Sequence, residues 1–370
     1  MAAKGFQPMS KLSGLAVMTA SITLLGGCSW GGGTTPSSTV APSSTVALST
    51  TAAAGGQYGS YTQSYTLPWV GSPNFSNLTS TLKVQASVNG GPAAPYIVDT
   101  GSVGAVVPKS EVPNIPAGSP SGSLTYSSSG LQLTGVWATV PVSFPQAVNA
   151  TGANVAASAT VPVLAVTAAS CTGSGVNSGK CTDKIPHLLG VGFGRGTTAQ
   201  TSPASNPFLN LSEMVAGTMR RGYIVARKGL SLGLTGSTVT GTWTMQPLTN
   251  AGPPAAGTHN DWTTPSGGFQ LGSGPALSGT ALIDTGLLDM IIEDSSLPTR
   301  GTVADGTPMT ITLGGSSYSY SVGDGGRQTP TSVNYAPPSH GTYVNTGLRA
   351  LGHYDLLFDA DGGDLGLHSR

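Results

Sequence analysis

Tyr96-Ile97-Val98-Asp99-Thr100-Gly101-Ser102 and Leu282-Ile283-Asp284-Thr285-Gly286 share one plan: an apolar run that ends in Asp-Thr-Gly. The chain has 12 Asp, 45 Thr and 54 Gly in 370 residues. Chance would give about 0.2 such triplets. Asp99 is also the first acidic residue in the chain. The likeness continues past the triplet. Val103, Ala105, Val106 and Val107 align with Leu288, Met290, Ile291 and Ile292, and Ser110 and Pro113 align with Ser295 and Pro298, all at one offset of 185. This is an internal duplication, so two similar lobes are predicted, each offering one carboxylate.

The pair has a definite chemistry. A strand that ends in Asp-Thr-Gly turns tightly, and glycine permits close backbone approach. Two such turns facing across a pseudo-two-fold axis bring Asp99 and Asp284 together. Like charges a few ångströms apart share one proton and titrate as a unit. The ionised member takes a proton from water and the protonated member donates to a carbonyl oxygen. Asp99 and Asp284 are therefore the candidate catalytic pair. The hydroxyls of Thr100 and Thr285 are placed to bond across the axis, and Ser102 to donate to Asp99.

Working outward, short apolar runs are broken by Gly, Pro, Ser and Asn. Leu82–Val88, Tyr96–Val98, Val136–Phe144, Ala157–Val166 and Gly222–Val225 read as strands. One segment reads as a helix: Asn206-Pro207 as cap and first position, then Phe208, Leu209, Leu211, Met214, Val215 and Met219. The chain carries 54 Gly and 27 Pro, only 8% charged residues, and 15 basic against 15 acidic side chains. That excludes a coiled coil. It also excludes a nucleic-acid partner, which needs a cationic excess or patch. The five histidines show no metal-binding spacing, and neither metal nor cofactor is expected.

The N-terminus reads as an export signal. Lys4 and Lys11 precede an apolar Leu12–Leu25 stretch, about as long as a secretory core and short of the roughly 20 residues of a membrane span. It ends in Leu25-Gly26-Gly27-Cys28, which resembles a bacterial lipobox. Residues 1–27 are the expected signal peptide, and Cys28 the lipidation site that anchors the chain to a membrane of the cell envelope. Ser29 leaves outer-membrane sorting open. Residues 28–64 are uncharged and rich in Ser, Thr, Ala, Pro and Gly, so a flexible tether is expected, with the fold beginning near Tyr65. With Cys28 acylated, Cys171 and Cys181 remain, and an exported protein would join them in a disulfide.

These residues together resemble the pepsin-like (A1-type) aspartic proteases over most of residues 65–370. Asp99-Thr100-Gly101-Ser102 with Val106-Val107-Pro108 is similar to the family's first catalytic loop, and Leu282–Gly286 to the second. Leu124–Gly130 with Leu133-Thr134-Gly135 resembles the flap hairpin, which makes Tyr126 the flap tyrosine. Leu188-Leu189-Gly190 resembles the strand that crosses beneath the first lobe. Asp355–Asp359 and Gly363–Leu367 resemble the closing strands. The resemblance implies a mostly β, bilobal fold with few short helices, with lobes at 65–228 and 229–370. It implies an aspartic endopeptidase, acting as a monomer on an extended peptide held under the flap. Thr100, Gly101, Ser102, Thr285 and Gly286 would support the aspartates.

Three departures stand out. Leu287 follows the second Asp-Thr-Gly where family members carry Ser or Thr, which removes a hydroxyl from Asp284. Asn345-Thr346-Gly347, the counterpart of Leu188-Leu189-Gly190, is polar where apolar residues are usual. The tryptophan that backs the flap has no obvious counterpart, Trp137 lying downstream. An alternative is a catalytically inactive lipoprotein of the same fold that binds a peptide or glycan in its cleft. A rival motif, Gly229-Leu230-Ser231-Leu232-Gly233, fits the nucleophile elbow of α/β-hydrolases, but turn and strand residues follow it where that elbow needs a helix.

Overall fold

Short β-branched runs punctuated by glycine become strands in the computed structural model, which describes residues 50–52, 56–195, 202–251 and 259–370. The predicted signal peptide, Cys28 and most of the predicted tether lie outside the described residues. The architecture is mostly β, in three sheets.

The first sheet has seven strands, in the order Lys83–Val88, Ala94–Asp99, Leu188–Val191, Val103–Pro108, Ala157–Cys171, Leu131–Phe144 and Ser121–Tyr126. The second also has seven: Ser316–Ser321, Pro308–Leu313, Ser266–Leu271, Ala276–Leu282, Tyr343–Asn345, Met290–Glu293 and Val333–Ala336. Their centres repeat one another. Leu188–Val191 runs parallel to Ala94–Asp99 and antiparallel to Val103–Pro108. Tyr343–Asn345 lies in the same way between Ala276–Leu282 and Met290–Glu293. Val103–Pro108 then pairs in parallel with Ala157–Cys171, as Met290–Glu293 does with Val333–Ala336. The duplication seen around the two Asp-Thr-Gly triplets thus extends to strand order.

The third sheet takes strands from both halves of the chain. Gly222–Ala226 pairs with Gly229–Leu232 on one side and with Tyr354–Asp359 on the other. The 228/229 boundary drawn from the sequence falls in the turn of that first hairpin. Ser231 lies inside the Gly229–Leu232 strand, paired with Ile224 and Thr66, so no strand-to-helix elbow forms there.

Alternation fills the core. Val84, Val98, Ala105, Val107, Val161, Val163 and Leu189 are all fully buried, each large aliphatic side chain contributing about 1.5–3 kcal/mol. Arg220 and Asp359 form a two-bond ion pair, Nε to Oδ1 at 3.2 Å and Nη2 to Oδ2 at 2.7 Å, with the Asp359 side chain wholly buried.

Two sequence expectations are corrected. Ordered chain begins before Tyr65. Thr50–Ala52 pairs with Trp243–Met245 at the edge of the shared sheet, and Tyr58 is buried beside Ile224, Leu234 and Trp243. An edge strand needs only backbone partners, which composition does not reveal. The predicted helix shrinks to one turn, Ser212–Val215. Asparagine side chains take the backbone groups upstream: Asn206 Oδ1 accepts from Phe208 N–H at 2.9 Å, and Asn210 Nδ2 donates to the Pro203 and Asn206 carbonyls at 2.8 Å. Phe208, Leu209, Leu211, Met214 and Met219 are buried even so, while Val215 is exposed.

Candidate active site

Each Asp-Thr-Gly turn sits where a strand leaves its sheet, and the two turns are tied by a reciprocal set of hydrogen bonds. Thr100 N–H donates to Thr285 Oγ1 at 3.0 Å, and Thr285 N–H to Thr100 Oγ1 at 3.0 Å. The Thr100 hydroxyl donates to the Ile283 carbonyl at 2.5 Å, and the Thr285 hydroxyl to the Val98 carbonyl at 2.6 Å. Both threonines are completely buried. Every polar atom of the two side chains is thus satisfied by the opposite turn, as a dry interface requires.

Gly101 and Gly286 explain why the third residue is glycine. A Cβ on Gly101 would lie 2.3 Å from Asp284 Cγ, and one on Gly286 would lie 2.6 Å from Asp99 Cγ. Each carboxylate leans over the glycine of the other turn.

The two aspartates are bonded alike. Asp99 Oδ1 accepts from Gly101 N–H at 2.7 Å, and Oδ2 from the Ser102 hydroxyl at 2.6 Å. Asp284 Oδ1 accepts from Gly286 N–H at 2.9 Å. Its Oδ2 accepts from Asn345 Nδ2 at 2.7 Å. Leu287 supplies no donor, and the amide comes instead from the strand that crosses beneath the second turn. Asn345 pairs with Leu282 as Leu188 pairs with Ile97, so these positions are equivalent. The sequence marked Asn345 as a departure without showing its partner.

Burial, and then the charge of Asp284, push the Asp99 carboxyl up to about 8. Two carboxylates this close share a proton and titrate as a unit.

Above the pair, Ser121–Tyr126 and Leu131–Val136 form a hairpin closed by Ser127–Gly130. Tyr126 is the last residue before its turn. Burial, and then the charge of Asp99, raise its phenol far above the usual range. Trp137 packs in the same apolar cluster as Leu124, Tyr126, Leu133 and Leu188, beneath the hairpin. It lies against Gly122, where a Cβ would fall 2.1 Å from Trp137 Nε1. Trp137 thus backs the hairpin from the long Leu131–Phe144 strand. The alternation of that strand was the available signal.

Cys171 and Cys181 are joined in a disulfide. The loop between them bridges the hairpin turn to the second sheet. Asn177 N–H donates to the Ser128 carbonyl at 2.7 Å, and Asn334 Nδ2 donates to Asn177 Oδ1 at 3.0 Å. Lys180 Nζ meets Asp289 Oδ2 at 2.6 Å, five residues beyond Asp284. Among the described residues, no group of three or more His, Cys, Asp or Glu side chains is placed to hold a metal ion.

No family model matches the chain, and no curated protein matches it. Solved structures do. The crystal structure of an aspartic proteinase from Irpex lacteus is 18% identical, covers 83% of this chain and 97% of its own, and has a TM-score of 0.53. The fold is therefore the bilobal β fold of the pepsin-like aspartic proteinases. Identity this low speaks for the fold alone.

Proposed function

We propose that the chain is an aspartic endopeptidase, exported and held at a membrane of the cell envelope through acylated Cys28. The observation that carries the catalytic reading is the pairing itself. Two buried carboxylates from separate lobes each lean over the other's glycine, and each is held by one backbone N–H and one side-chain donor. The export and anchoring parts rest on the N-terminal sequence.

The proposed chemistry uses Asp99 as the acid and Asp284 as the base. Asp284 takes a proton from a water between the carboxylates, and the water oxygen attacks the scissile carbonyl carbon. The Asp99 proton passes to the carbonyl oxygen, giving a gem-diol. Asp284 then returns its proton to the amide nitrogen, the C–N bond breaks, and the diol proton goes back to Asp99. No covalent intermediate forms. The Thr100–Thr285 bonds keep the two carboxylates in register throughout. In this reading Tyr126, on the hairpin, covers an extended peptide and excludes water.

The test is cleavage of a mixed peptide library from pH 3 to 7 by the full chain in detergent, beside Asp99→Asn and Asp284→Asn. Cleavage lost in both variants, with circular dichroism unchanged, is the expected result. Binding of peptides without cleavage by the folded wild type would overturn the catalytic reading and leave a binding lipoprotein. Cleavage that survives both substitutions would place the chemistry elsewhere.

A further inference from the structure

We propose that Asn345 is a positioning residue that fixes the division of labour in the pair, keeping Asp284 as the base and Asp99 as the acid. The inference rests on the peptidase reading for its catalytic consequence, but its hydrogen-bond basis stands apart from it.

The argument begins with an exchange between lobes. In the first lobe the turn supplies a hydroxyl, Ser102, and the crossing strand an apolar side chain, Leu188. In the second lobe the turn supplies the apolar side chain, Leu287, and the crossing strand the polar one, Asn345. Both arrangements place one side-chain donor on Oδ2, at 2.6 Å and 2.7 Å. The donor that Leu287 lacks is restored from another strand.

The two donors differ in chemistry. The Ser102 hydroxyl can donate to an ionised Asp99 or rotate and accept from a protonated one. Asn345 has no such freedom. Its Oδ1 accepts from Gly347 N–H at 3.0 Å, and this orients the amide so that Nδ2 faces Asp284. An NH₂ group only donates. Asn345 is buried, so neither end turns to solvent. A fixed donor favours the charged form of its acceptor. The site thus tolerates a proton on Asp99 and resists one on Asp284. The other charged or titratable groups that face Asp284 are Asp99 across the axis and Tyr343 on the crossing strand, with Arg195 beside Tyr343. Asp99 and Tyr343 lack this one-way character, and the fixed cation Arg195 directs its hydrogen bonds to the Phe193 carbonyl and the Thr264 hydroxyl.

The experiment uses the full chain and three variants: Asn345→Leu, Leu287→Ser and the two combined. The combined variant recreates the Ser102–Leu188 arrangement in the second lobe and guards against a single variant that fails to fold. Two readouts are taken: the pH profile of kcat/KM, and carbon-13 titration of the Asp284 carboxyl, assigned with Asp284→Asn. In Asn345→Leu, the acid limb and the carboxyl midpoint should both move up, because a donor to the charged form is lost. The expected kcat falls, with KM little changed, because the base is less often ionised at a given acidic pH. The combined variant should move both values back. An unchanged limb and midpoint in a folded Asn345→Leu chain would overturn the proposal. So would a shift that the restored hydroxyl does not reverse. If the wild type cleaves nothing, the peptidase reading fails separately, while the carboxyl titration still decides whether Asn345 controls Asp284.

Discussion

Replacing Thr100 by valine is nearly isosteric and removes only the hydroxyl. Thr100 Oγ1 accepts from Thr285 N–H and donates to the Ile283 carbonyl. Both partners lie in the dry contact between the turns, so valine leaves one buried donor and one buried acceptor unmatched. At about 1–3 kcal/mol for each unsatisfied group, the loss should be about 2–6 kcal/mol. That is a large share of the roughly 5–15 kcal/mol that holds a domain folded. Urea unfolding at neutral pH measures it as a lower midpoint at an unchanged slope. Thr100→Ser keeps the hydroxyl and should cost less than about 1 kcal/mol, mainly for the methyl. Adding Thr285→Val should show coupling, because the two side chains share partners. A loss below about 0.5 kcal/mol for valine, or an equal loss for serine, would refute the view that these hydroxyls weld the turns.

Two further outcomes follow from buried charge. Burial and the charge of Asp284 raise the Asp99 carboxyl from its ordinary range to about 8, so folding favours its protonated form. Its contribution to stability is fully present below about pH 4 and is lost as pH rises towards 8. The stability of the wild type relative to Asp99→Asn should therefore fall by a few kcal/mol across that interval, and a flat difference in chemical denaturation would contradict it. Arg220→Met should cost about 3–5 kcal/mol by stranding the wholly buried Asp359. Arg220→Met combined with Asp359→Leu should cost less than the single change, and thermal melts of both decide the matter.

What was legible in the sequence was local. Asp99-Thr100-Gly101 and Asp284-Thr285-Gly286 declare themselves because the turn, the carboxylate and the close-approach glycine are consecutive. The constant offset then revealed the duplication. The role of Asn345 was hidden because it depends on parallel pairing with Leu282, far away in the chain. In isolation it read as a polar flaw in an apolar strand. Trp137 was obscured similarly, since it reaches the hairpin through the sheet and not through a neighbouring motif. The 206–219 segment misled for a different reason. Its apolar spacing reports burial correctly except at Val215, but the Asn210 side chain takes the Asn206 carbonyl that a helix would have used.

The disulfide loop changes what opening the hairpin requires. A hairpin joined to its own sheet alone can hinge upward as a free arm. Here the turn at Ser128 holds Asn177, and the same loop holds Asn334 and Asp289 through Asn177 and Lys180. Lifting the turn must either break the Ser128 bond or pull the loop from the second sheet, against a ring closed by Cys171 and Cys181. Reduction of that bond is expected to loosen the latch without touching either carboxylate, and faster proteolysis within residues 171–181 of the reduced chain would show it.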